Sequence, residues 1–282
     1  MCTRPNNYKK LNTFFSRFLV PIVFLALVLQ FFIENARRGT VTPSVPSQGP
    51  VGSGIRNPIL DLLTQPGSPQ PAARDGIVIG VAFDVSGSMK NTVPDQAGHA
   101  KAKIKIAQEC ALQIIRQTDA FVQKHPSPPI EVGIFEFSSR ASQPSCRQVI
   151  PFGPVQLDQV RQAIVRMHPE GGTPIGDAMI AVKQKMSQTG LARQHLLLIT
   201  DGESNQGYDP GDVMNALSRL PQDQQVNVYF FAFDVGASRF GKVRDSGGLV
   251  LAASNEPELQ QTLDYVLTGK ILVEQPEPSG EN

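Results

Sequence analysis

From Gly76 onward, apolar positions follow two alternating rhythms. Ile77–Phe83 is an almost unbroken apolar run, the pattern of a parallel strand covered on both faces. Between Ala100 and Val122, Ile104, Ala107, Ala111, Ile114, Ile115, Thr118 and Phe121 recur close to helical spacing. Strands follow at Ile130–Phe137 and Cys146–Ile150, joined by a polar turn that predicts an antiparallel edge pair. Leu157–Met167 and Gly176–Gln188 read as helices, and Leu196–Thr200 as a buried strand. A helix over Pro210–Leu220, strands at Val226–Phe233 and Leu249–Ala252, and a helix over Pro257–Leu267 complete the series. Such alternation predicts an α/β domain over residues 76–268. Its sheet is doubly wound and mostly parallel, with helices on both faces and one antiparallel edge strand.

Upstream of Gly76 neither rhythm holds. Phe18–Ile33 is apolar except for Gln30, and Arg4, Lys9, Lys10 and Arg17 precede it without an acid. Sixteen helical residues rise about 24 Å, slightly less than the ~30 Å hydrocarbon core of a membrane. Extension back to Leu11 makes up the length if Arg17 reaches the headgroups. A cleaved signal peptide would end in small residues, whereas Glu34 stands where one of them is needed. The segment 18–35 is therefore read as a single-pass membrane anchor. Residues 1–17 would be cytoplasmic, because basic residues favour that side, and the domain would lie outside. Residues 36–75 carry seven prolines among scattered Gly and Ser, which suits a linker rather than a core. Its apolar island, Ile59–Leu63, fits a helical turn docked on this domain or on a partner. Residues 269–282 read as an acidic, proline-containing tail.

Charge narrows the function. Residues 1–75 hold 8 basic and 3 acidic side chains, and residues 76–282 hold 18 and 22, so a domain of net charge −4 follows a leader of +5. No basic patch interleaved with aromatics appears, which argues against a nucleic-acid partner.

Three segments carry the candidate chemistry: Asp84-Val85-Ser86-Gly87-Ser88, Gly171-Gly172-Thr173-Pro174 and Thr200-Asp201-Gly202. The first and third each follow a predicted buried strand. In a doubly wound sheet, ligands bind at the carboxyl ends of strands where the winding reverses. Two carboxylates, Asp84 and Asp201, would meet three hydroxyls there, from Ser86, Ser88 and Thr173. Such hard oxygen donors suit Mg²⁺, with Mn²⁺ or Ca²⁺ as alternatives. Gly171 and Gly172 would let the backbone approach closely.

Together these segments resemble the metal-ion-dependent adhesion site of von Willebrand factor A (VWA) domains. The resemblance spans about Gly76–Leu267, and all three segments match without substitution. It implies direct hydroxyl ligands from Ser86, Ser88 and Thr173, with Asp84 and Asp201 acting directly or through water. It also implies a protein partner that presents a Glu or Asp carboxylate to the metal. Asp177 would steady the Thr173 loop, Glu203 lies close to Asp201, and Asp234 ends a strand on the same edge and could reach the site through water, while Asp95 is a candidate for a second cation. A membrane-tethered accessory factor for an ATPase, secretion or pilus assembly is the alternative in the same class.

Enzymatic readings fit less well. Gly171 to Gly176 has phosphate-loop spacing, but Asp177 and Ala178 stand where Lys and Ser/Thr are required. A metal-dependent phosphatase with Asp84 as nucleophile would need an acid where Ser86 stands. His99, His125, His168 and His195 show no zinc-ligand spacing. Cys2 would be cytoplasmic; Cys110 and Cys146 could pair outside the membrane, but they read better as core thiols in separate elements.

Overall fold

The computed structural model describes residues 57–64, 73–95 and 97–274. The basic segment 1–17, the expected anchor 18–35 and much of the expected linker lie outside these residues. Among the described residues, no helix is long and apolar enough to cross a membrane. The described elements are α1 (Pro58–Leu63), β1 (Arg74–Asp84), β2 (Thr92–Pro94), β3 (Ala100–Ala102), α2 (Lys103–Lys124), β4 (Ile130–Phe137), β5 (Cys146–Gly153) and α3 (Leu157–Val165). There follow α4 (Ile175–Ser187), β6 (Leu191–Thr200), α5 (Pro210–Leu217), β7 (Asn227–Phe233), α6 (Gly241–Asp245), β8 (Leu249–Ala253) and α7 (Glu256–Val266).

One sheet runs in the order β5-β4-β1-β6-β7-β8. Every neighbouring pair is parallel except β4 with β5, so the antiparallel edge strand is where the pattern placed it. The chain winds from β1 outward to β4 and β5, then returns to β6 on the other side of β1. That reversal creates the switch point between β1 and β6. Alternate residues of β1 feed opposite cores. Ile77, Ile79, Val81 and Phe83 pack with α2, α3 and α7. Val78 and Ala82 pack with α1, α4, α5 and α6. Phe83, Phe135, Phe137, Phe230, Phe231 and Phe233 are fully buried, each contributing about 1.5–3 kcal/mol. Cys110 belongs to one core and Cys146 packs against the other, across the sheet, and both thiols are free.

Side-chain caps start α5 and α7. Asp209 accepts from Gly211 and Asp212 N–H ahead of α5, with Pro210 in the first turn. Asn255 accepts from Glu258 N–H ahead of α7, and Glu258 reaches back to Ser254 N–H.

Several bounds differ from the pattern. The helix predicted from Ala100 begins at Lys103, and Ala100–Ala102 instead pairs antiparallel with Thr92–Pro94. Three-residue strands are too short to show a period, and alanine favours helix. Strand β6 starts five residues before Leu196, because its polar lower half finds partners. Gln194 accepts from Lys183, and the buried His195 lies between the Tyr229 hydroxyl and the Glu274 carboxylate. The island Ile59–Leu63 forms α1 on its own domain, capped by Asn57 and tied through Leu62 O to Gln184. Beyond residue 268 the chain still packs, with Ile271 and Leu272 buried, so the domain extends past both expected bounds. The short helix α6 has no readable period, its five residues being fewer than two helical turns.

Lys183 is an unusual core residue: it is 1% exposed, and its ammonium donates to Ser187 Oγ (2.7 Å) and Gln194 Oε1 (3.0 Å). Burial pushes its pKa down to about 8. Below that value the lysine is charged in both folded and unfolded chains, and the burial penalty is complete. The penalty fades between about 8 and the ordinary 10.5, so wild-type stability gains with pH there. Lys183→Met should therefore stabilise the domain by about 1–3 kcal/mol at pH 7. The gain should shrink above pH 8, as read from urea denaturation across pH.

Candidate metal centre

The switch point brings Asp84 and Thr200 side by side. Pairing of Phe83 with Ile199 sets the two strand ends level, and Thr200 Oγ1 donates to Asp84 Oδ2 at 2.6 Å. Asp84 Oδ1 accepts the Ser86 N–H at 2.7 Å. Burial pushes the Asp84 carboxyl up to about 6, against the Ser86 and Thr200 hydrogen bonds that favour its charge. The Ser86 and Ser88 hydroxyls lie 3.0 Å apart, and Ser88 Oγ donates to Asp201 Oδ1 at 2.7 Å. A methyl placed on Gly202 would lie 3.9 Å from the Thr173 hydroxyl and 4.0 Å from that of Ser88. All five predicted donors therefore gather on one edge of the sheet.

Backbone contacts hold the Thr173 loop against the first motif. Gly87 N–H donates to Gly171 O at 2.9 Å, and Ser139 N–H to Gly172 O at 3.1 Å. Ser139 Oγ accepts from Gly172 N–H, and Asn205 Oδ1 from Thr173 N–H, both at 2.9 Å. Ser139 and Asn205 are positioning residues with no motif to announce them.

The residue most clearly missed is Lys103. Its ammonium donates to Asp201 Oδ2 at 2.9 Å and pairs with Asp234 Oδ2 at 2.7 Å. Burial opposes its charge, but the hydrogen bonds to Asp234 and Asp201 outweigh it and hold the pKa above its ordinary value. A signal did exist in the sequence, since Lys103 falls four residues before Ala107 on the buried stripe of α2.

Comparison with known proteins identifies the family. The model of the von Willebrand factor type A domain matches residues 79–261. The chain belongs to the VWA family. No curated protein matches it. Among solved structures, the fold is similar to the PilB minor pilin of Streptococcus sanguinis, with 14% identity and a TM-score of 0.54 over 72% of this chain and 64% of the pilin. It is also similar to BatB, a conserved hypothetical protein of Bacteroides thetaiotaomicron, with 14% identity and a TM-score of 0.52 over 71% of this chain and 100% of BatB. The pilus adhesin SpaC of Lactobacillus rhamnosus GG gives 13% identity and a TM-score of 0.52 over 71% of this chain but 31% of the adhesin. The chain thus spans less than two thirds of the pilin and less than a third of the adhesin.

The other acids of this VWA domain have different duties. Asp177 accepts from Tyr208 N–H at 3.0 Å and so holds the loop after Asp201. Glu203 pairs with the exposed Arg239 at 3.0 Å. Asp234 joins Asp201 through Lys103. Asp95 accepts from Ala97 and His99 N–H and closes its own turn. Among the described residues, no group of three or more His, Cys, Asp or Glu could hold a metal. An ion at the rim would therefore depend on the hydroxyls. Three neutral hydroxyls and two carboxylates, with no nitrogen or sulfur donor, fit a small hard divalent cation.

Gly171 has φ +84°, and a methyl there would stand 2.0 Å from Ser139 O. Gly171→Ala should therefore destabilise the VWA domain by about 2–4 kcal/mol, measured by urea denaturation.

Proposed function

We propose that this VWA domain is a non-catalytic, metal-dependent interaction module that binds a protein partner through a Glu or Asp carboxylate of that partner. The observation that carries the reading is the convergence of Ser86, Ser88 and Thr173 hydroxyls with Asp84 and Asp201 at the switch point. These residues would hold Mg²⁺, with Mn²⁺ or Ca²⁺ as alternatives, and the ion when bound would supply positive charge for an incoming carboxylate. The chain's own contribution is to present neutral hydroxyls toward the ligand while both carboxylates stay fixed behind them. Asp84 is 0% exposed, with its oxygens taken up by Ser86 N–H and the Thr200 hydroxyl. That arrangement favours a charge-balancing role over the nucleophilic role of a phosphatase.

Residues 18–35 would tether the module to a membrane, with the domain on the extracytoplasmic side. Helix α1 docks against Gln184, near the end of α4 opposite Thr173, which is compatible with a tether that leaves the rim free. Similarity to a minor pilin and a pilus adhesin supports a surface partner, and the assembly-factor alternative uses the same rim.

Asp84→Asn should lower Mg²⁺ affinity of the full chain by on the order of 10–100-fold without unfolding it, as read by calorimetry and circular dichroism. Undiminished binding would remove Asp84 from the site.

Partner capture should require the ion. A pull-down with the full chain should lose its partner in EDTA and regain it with Mg²⁺. Thr173→Ala should weaken capture more than ion binding, because a neutral ligand contributes geometry rather than charge. Capture that survives EDTA would place the binding surface elsewhere.

A further inference from the structure

Among the described ion pairs, Lys103 is the one cation that touches the hydroxyl and carboxylate cluster. Its place is electrostatically adverse on two counts. It opens a 22-residue helix, where the peptide dipoles already present positive charge. Its side chain is also only 7% exposed. A lysine in such a position needs strong compensation, and it receives two carboxylates from two strand ends.

The carboxylate of Asp201 is divided between two neighbours. Oδ1 accepts from the Ser88 hydroxyl, and Oδ2 accepts from Lys103. Asp234 holds the other side of the same ammonium. Its backbone has φ +55° and donates its N–H to Ala253 O at 2.7 Å. The start of α2 and the ends of β6 and β7 therefore meet at a single ammonium.

We propose that Lys103 sets both the affinity and the ion preference of the metal site. The proposal rests on the metal-dependent reading above. With Oδ2 committed to Lys103, Asp201 has only Oδ1 facing the hydroxyls. A carboxylate limited to one oxygen suits Mg²⁺, which takes six ligands in strict octahedral array. Ca²⁺ takes six to eight and often both oxygens of one carboxylate. Charge points the same way. Asp84, Asp201 and Asp234 carry −3, and Lys103 reduces this to −2, which one divalent ion balances. Without Lys103 the cluster would hold divalent ions more tightly and discriminate less.

Titration calorimetry of Mg²⁺ and Ca²⁺, each alone, into EDTA-stripped full chain tests this. Lys103→Met should tighten Ca²⁺ binding on the order of tenfold or more, since a positive charge close to the ion is removed. Mg²⁺ should tighten less, so the preference for Mg²⁺ falls. Asp234→Asn keeps a residue that tolerates positive φ and leaves the ammonium to Asp201 alone. It should weaken the binding of both ions several-fold in the wild-type background. If Lys103→Met is unfolded in EDTA and folds when Mg²⁺ is added, the resident-cation role is supported. If it stays unfolded with the ion present, Asp234→Asn decides: unchanged affinities overturn the proposal and reduced ones support it. Equal affinities in wild type and Lys103→Met, with Asp84→Asn still defective, would overturn the Lys103 assignment and leave the metal reading intact. Absence of binding in wild type and every variant would overturn both.

Discussion

Parallel pairing of β1 with β6 is the constraint on which the rest of this molecule depends. Because Phe83 lies level with Ile199, the next residues of the two strands emerge together at one edge. Asp84 is buried there with the Thr200 hydroxyl and the Ser86 N–H donating to its two oxygens. A slip of one residue would turn β1 over relative to β6, moving Ile79, Val81 and Phe83 to the wrong core. The two hydrophobic layers and the polar rim are thus fixed by one register.

Two carboxylates so close to a hydrophobic core need distinct electrostatic solutions. Asp84 is surrounded by neutral donors, and burial lifts its pKa to about 6. Asp201 accepts from the Ser88 hydroxyl and shares the positive charge of Lys103 with Asp234. Asp234, half exposed, completes the balance from the neighbouring strand. The rim therefore combines neutral hydroxyls in front with compensated charge behind. That polarity underlies the proposed role in holding an ion for a partner's carboxylate.

The opposite end of the sheet solves a different problem. There β6 begins with polar residues in a buried setting, and each finds a partner from a distant segment. Lys183 reaches Gln194, and the stretch after α7 brings Glu274 to His195. These contacts draw Gly269–Glu274 onto the domain, although that stretch has no periodic pattern of its own. Such bonds orient the lower end of β6 but leave Lys183 with no opposite charge among the described ion pairs.

What the amino-acid order determined by itself was the architecture and the gathering of five donors. Buried parallel strands must be apolar at nearly every position, so Ile77–Phe83 and Leu196–Thr200 were readable without neighbours. Motif residues at strand ends then had one edge on which to meet. Element bounds were less legible, because β2 and β3 are too short for a period and the start of β6 is polar. Only the tertiary structure decided that Ser139 and Asn205 pin the Thr173 loop, since a hydrogen bond between distant loops leaves no local pattern. It alone decided the role of Lys103 as well. A lysine on an apolar stripe signals some buried partner, but the partner's identity depends on where β6 and β7 end in space.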